Sequence, residues 1–137
     1  MADLVVTPAN VFASADVQRE EQIAGVAITA GQAVYLDTAS GTVKLADSDG
    51  TDPQWRFRGI ALNGASVNQP VFIAVADPNF TPGFTAVAGD DIWLADTAGG
   101  VTKTKADLES GDTVVHLGTM KTSAILNLRS NTGGIIP

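Results

Sequence analysis

The chain has 137 residues, 45% of them hydrophobic, no cysteine and a formal net charge of −7, a length that suits one domain with a real core better than two independent ones. Its 8 Lys and Arg residues are scattered, so it lacks the clustered cations that neutralise phosphates, and no nucleic-acid partner is expected. Disulfides and thiolate metal sites are excluded; no run approaches the ~18 apolar residues of a membrane helix, so no membrane partner is expected, and Asp3 with no Lys or Arg before Arg19 does not read as a signal peptide.

Residues 1–24 read as an N-terminal arm and 25–137 as a β domain. Leu4-Val5-Val6 predicts a short strand that Thr7-Pro8 ends. Ser14 to Gln22 is polar with no apolar stripe, which predicts an arm and not a core element, poorly ordered unless something ties it down, with a neighbouring subunit the natural candidate.

Ala30-Gly31-Gln32-Ala33-Val34-Tyr35-Leu36, followed by Gly41-Thr42-Val43, returns as Ala88-Gly89-Asp90-Asp91-Ile92-Trp93-Leu94, followed by Gly99-Gly100-Val101, at a constant offset. Two half-repeats follow, at about 26–76 and 85–128. In the first, Val34 and Leu36 alternate with Ala33, Tyr35 and Asp37, which predicts a half-buried strand; Thr38 to Gly41 supplies a turn, and Val43 with Leu45 resumes the apolar face. Asp47 to Pro53 is an acidic loop built from turn residues.

A strand over Trp55 to Leu62 puts Arg56 and Arg58 on one face and Trp55 and Phe57 on the other. It is a basic-aromatic cluster that reads either as a nucleic-acid patch or, in better accord with the charge, as a half-buried strand with a charged outer or intersubunit face. Val71 to Ala76, between Pro70 and Pro78, predicts a strand buried on both faces. Asp77 to Phe84, with two prolines and two phenylalanines, predicts a projecting loop that joins the halves.

In the second copy Ile92 and Leu94 share a face opposite Trp93, as Val34 and Leu36 do opposite Tyr35, and Lys103 stands where the first copy has Leu45. Thr113 to Leu117 and Ser123 to Leu128 complete the strands, and Arg129 to Pro137 reads as a tail. The fold class expected is all-β: a single-domain barrel or sandwich, jelly-roll-like, of about eight short strands in two similar halves with an extended N-terminal arm.

Catalytic signals are weak. His116 is the sole histidine and sits mid-strand between Val115 and Leu117, which excludes paired-histidine metal sites and favours a structural role. Asp47, Asp49 and Asp52 cluster as hard cations require, but a calcium loop counted from Asp47 would place glycine at Asp52 and glutamate at Arg58. No Walker loop, dinucleotide fingerprint or nucleophile elbow occurs. No enzyme and no cofactor are expected. Tyr35 and Trp93 read either as sugar-stacking platforms or, preferably, as anchors against another sheet or subunit.

The order Ala9-Asn10-Val11, Ile23-Ala24-Gly25, Ile28 through Asp37, Lys44-Leu45-Ala46-Asp47, Gly59 through Ala65, Gln69-Pro70-Val71, Ala98 through Val101, Ala106 through Asp112 and Leu117-Gly118 resembles the small head decoration, or capsid cement, proteins of tailed bacteriophages. The resemblance spans nearly the whole chain. Its motifs consist of small and turn residues, so their order carries it, and Asn79 to Phe84 is more aromatic and proline-rich than the family pattern.

The resemblance implies a β-rich structural protein on the outer capsid surface of the virion, made in the host bacterial cytoplasm, with the major capsid protein and its own copies, most often in a trimer, as partners. Leu4, Val5, Val11, Phe12, Tyr35, Trp55, Arg56, Arg58, Phe80, Phe84 and Trp93 are the candidate capsid or intersubunit contacts. A carbohydrate-binding or host-surface adhesin module displayed on the virion is the alternative expectation.

Overall fold

Each copy opens and closes its first hairpin with glycines at positive φ, Gly31 at 92° and Gly41 at 72°, then Gly89 at 93° and Gly99 at 77°. These are conformations that side chains with a Cβ resist. The structure, a computed structural model, describes residues 4–49, 51, 53–103 and 112–135, of which 131–135 as backbone. Asp52 of the acidic loop and residues 106–111 of the resemblance lie outside the described residues.

A short 3-10 turn at Pro8–Asn10 precedes ten strands among the described residues: β1 (Val11–Phe12), β2 (Gln18–Ile23), β3 (Ala33–Asp37), β4 (Thr42–Leu45), β5 (Phe57–Ala61), β6 (Pro70–Pro82), β7 (Asp91–Leu94), β8 (Val101–Thr102), β9 (Thr113–Met120) and β10 (Leu126–Ile135). The chain is 49% strand and 3% helical, an all-β fold whose antiparallel sheet curls toward a barrel.

Strand order is β4-β3-β5-β6-β10-β9-β7-β8, with β1 and β2 added on β6. It reads the same from either end when β3 to β6 are exchanged for β7 to β10, so the sequence duplication is a structural one. The register agrees in detail. On β3–β5, Val34 faces Gly59 and Tyr35 faces Phe57 across a shift; on β7–β9, Ile92 faces Gly118 and Trp93 faces His116 across the same shift.

The first half closes on itself. β2 runs along β6 from Gln18 opposite Ala76 to Ile23 opposite Pro70, and Ala24 then bridges Val43 of β4, with Gly25 N donating to Val43 O at 2.8 Å. Inside this ring lie Ala24, Ile28, Val34, Val43, Ala61, Val71 and Ile73. Val34, Val43, Val71 and Ile73 are fully buried, each contributing about 1.5–3 kcal/mol relative to exposure. A second, larger core joins the halves and takes Ala33, Tyr35 and Ile60 from the first and Ile92, Leu94, Val115 and Leu117 from the second. Ala33 N to Gly99 O (3.0 Å), Gly99 N to Ala46 O (2.7 Å) and Ser48 N to Ala95 O (3.1 Å) stitch the outer ends of the two halves together.

Several expectations are corrected here. Residues 18–23 are not an unpaired arm: β2 alternates exposed and half-buried residues, and an edge strand held by backbone pairing needs no continuous apolar face. Leu4 to Val6 are not a strand, although Leu4 N reaches Val101 O at 2.9 Å. Val71 to Ala76 are not buried on both faces, since Phe72 is 40% exposed.

Asp77 to Pro82 are not a loop but the second half of β6. That half leaves β2 and β5 for β1 and β10, with Phe80 opposite Leu126 and Asp77 opposite Leu128. Its prolines fall at a register shift and at the strand end, where the ladder needs no N–H. β10 continues to Ile135, so residues 129–135 are strand and not tail.

Asp77 anchors the crossing. Its buried carboxylate accepts Ser14 N at 2.7 Å, Asn79 N at 3.0 Å and the Ser14 hydroxyl, so the segment before β2 is tied to the point where β6 changes partners. A buried carboxylate is tolerated only with such compensation.

Candidate functional site

Most of the predicted contact residues fall into three groups by their place in the fold. The first is N-terminal. Val5 is 85% exposed and Phe12 59% exposed, while Leu4 is half-buried against the main core and Val11 is buried in it. Phe12 faces Thr81 and Val11 faces Pro82, and Thr7 N donates to Gly83 O at 2.9 Å. Val5 and Phe84 share an apolar groove of about 310 Å³ with Thr81, Gly83 and Ala124.

Phe80 and Phe84 do not project. Phe80 is fully buried and Phe84 is 8% exposed, because the segment expected as a loop is β6 and the chain just after it. Of the expected aromatic loop, only the rim of Phe84 in the groove reaches the surface.

The second group surrounds the start of β5. Trp55 lies in the turn before the strand, with Phe57 N donating to Trp55 O at 2.9 Å, so the expected alternation from Trp55 does not start there. The Arg56 guanidinium lies 4.8 Å over the Trp55 ring, a cation–π contact. Arg58 makes a bidentate pair with Glu20 of β2, at 2.6 and 2.7 Å. Both cations are therefore engaged within the chain, as a charged sheet face requires.

The Arg58 hydrogen bonds hold the Glu20 carboxyl below the usual glutamate range, against the opposing effect of its partial burial, with Gln22 adding a further hydrogen bond. A depressed folded pKa gives stability that is present above the unfolded glutamate pKa of ~4.3 and is lost as pH falls through the folded value. A Glu20→Gln/Arg58→Met double-mutant cycle is expected to give no more than about 1 kcal/mol at pH 7, the size of an exposed pair, and less at pH 3. Urea unfolding at the two pH values measures it. A coupling that grows on acidification would contradict the assignment.

Tyr35 and Trp93 occupy equivalent places but not equivalent surroundings. Tyr35 is 6% exposed in the main core, so it is no outward platform. Trp93 is half-buried, its ring centroid 4.8 Å from that of His116 at a 60° tilt. His116 Nε2 lies 3.0 Å from Asp91 Oδ1, which also accepts the Thr119 hydroxyl at 2.9 Å. Both hydrogen bonds, His116 first, hold the Asp91 carboxyl below its ordinary range.

A scan against protein-family models finds no match. A search of curated proteins finds none either.

In the acidic loop, Asp49 N donates to Asp47 Oδ1 at 2.9 Å, so that carboxylate caps its own turn. Burial, with the nearby Asp49 charge adding to it, pushes the Asp47 carboxyl up despite that hydrogen bond. Among the described residues no group of three or more His, Cys, Asp or Glu is arranged to hold a metal ion. No helix among them is long and apolar enough to cross a membrane.

Asp91, Thr119 and Asn127, which frame the face beside His116, carry no linear signal. They lie 28 residues apart in the case of Asp91 and Thr119, and only the β7–β9–β10 register unites them. The one available clue was the duplication itself, which sets Asp91 at the place of Ala33.

Proposed function

We propose that this protein is a structural subunit that binds the outer surface of a bacteriophage capsid and reinforces it. Its partners in this reading are the major capsid protein and its own copies, as a trimer. The observation that carries the reading is the apolar surface at the N-terminal segment, where Val5 and Phe12 stay 85% and 59% exposed next to the groove that Val5, Thr81 and Phe84 line. Exposed apolar groups beside an open groove are what a partner surface covers. Weak contacts of this kind, repeated over a shell, give occupancy through avidity without any one tight site.

β2 belongs to the sheet, so deleting the whole N-terminal segment would unfold the first half and test nothing. A Val5→Asp/Phe12→Ala variant leaves every strand pairing in place. It is expected to bind purified phage heads at least tenfold more weakly than the parent, each lost apolar contact contributing about 1 kcal/mol or more. Co-sedimentation with heads reads the occupancy, and undiminished occupancy would sink the proposal.

The carbohydrate-module alternative needed an aromatic platform from Tyr35, Trp93 or the Phe80 and Phe84 segment. Tyr35, Phe80 and Phe84 are buried, so Trp93 is the aromatic that remains for it.

A further inference from the structure

The two halves share a backbone but treat one face of it in opposite ways. In the first half Ala33, Tyr35, Phe57 and Ile60 point into the main core. Their register equivalents in the second half are Asp91, Trp93, His116 and Thr119, and none of these four is fully buried. Packing does not require four polar or half-polar residues on a face that the same fold fills with apolar ones.

These residues are organised and not merely solvated. The Asp91 carboxylate fixes both the His116 ring and the Thr119 hydroxyl, and the ring in turn lies against Trp93. On the neighbouring strand, Leu128 faces Gly118 and Asn131 faces His116, so Arg129 and Ser130 together stand opposite the single residue Leu117. A bulge of this kind re-aims side chains. It sets Arg129 and Ser130 on the lip of a groove of about 420 Å³ whose other walls are His116, Thr119 and Asn127 and whose floor includes Gly118.

We propose that this groove binds a short saccharide that carries a carboxylate. Amide, hydroxyl and imidazole groups on its walls match the donors and acceptors of sugar hydroxyls, and Trp93, packed against His116, backs the imidazole wall with an indole ring. Arg129 has no carboxylate partner among the described residues, and a guanidinium pairs with a carboxylate in a bidentate fork. A polyphosphate is disfavoured by the Asp91 carboxylate, which is bonded to the His116 and Thr119 walls, and by the chain's net charge of −7. The site goes beyond capsid binding and does not depend on it.

The chain has two tryptophans, so a full-length Trp55→Phe variant leaves Trp93 as the sole indole reporter. Trigalacturonate is expected to change its emission saturably. Maltotriose should bind about tenfold more weakly, and Arg129→Gln should abolish that difference through a tenfold loss for the acidic sugar alone. Urea midpoints confirm that each variant is folded. The proposal is overturned if neither saccharide gives a saturable response at millimolar concentration, if maltotriose binds as tightly as trigalacturonate, if Arg129→Gln and Asn127→Ala leave binding unchanged, or if inorganic phosphate alone reproduces the response.

Discussion

Gly118→Ala is expected to lower the unfolding free energy by about 3 kcal/mol or more, at the upper end of what overpacking costs. Gly118 lies in the middle of β9, opposite Ile92 on one side and Leu128 on the other. A Cβ there would fall far inside van der Waals contact with the Asn127 carbonyl oxygen. That atom is backbone in a ladder, so it cannot give without breaking the β9–β10 pairing on which the second half is hung. Gly59, its equivalent, meets the same obstacle less severely, with the added Cβ 2.5 Å from Ala74 O. Gly41→Ala is the control: nothing lies within 4 Å of its Cβ, and only the positive φ is strained, at about 1 kcal/mol. Urea midpoints at unchanged slope give the ranking, expected to be Gly118, then Gly59, then Gly41. A Gly118→Ala variant as mild as Gly41→Ala would contradict the register.

The duplicated glycines also show which parts of the fold were legible in the sequence. Gly31, Gly41, Gly89 and Gly99 mark the same backbone turns twice, and the alternation of Val34 and Leu36 with Tyr35 marks a strand, so the hairpins and the all-β class could be read directly. β2 could not. Gln18 to Ile23 form a strand because Val71 to Ala76 offer a ladder to pair with, and that partner is about fifty residues away in the chain. The polarity that made the segment resemble an arm is what an edge strand needs.

The same limit explains the contact residues. Prolines at 78 and 82 read as loop punctuation, yet the strand accommodates both at a register shift and an end. Alternation placed Tyr35 and Trp93 correctly on the face opposite the aliphatic pair. It could not say whether that face was covered, and in the first half the core between the halves covers it while in the second half it stays open.

Phe80→Ala and Phe12→Ala separate a core role from a surface role. Phe80 is the largest of the fully buried side chains. It sits where β6 passes from one half to the other, opposite Leu126 and packed in the core both halves share. Truncation there removes the apolar burial and leaves a cavity at a crossing that strands on both sides hold fixed, so relaxation is limited; a loss of about 3–5 kcal/mol is expected. Such a loss is a large part of a small domain's total stability, and it should appear as a shift of the urea midpoint. Phe12, 59% exposed at the edge of β6, should change stability by no more than about 0.5 kcal/mol. Head binding should order the two variants the other way, with folded Phe80→Ala protein retaining occupancy at low temperature and Phe12→Ala losing it. A projecting Phe80 would give the opposite pattern, stable when truncated and deficient in binding, and that outcome would overturn both the strand assignment of residues 77–82 and the contact surface built beside it.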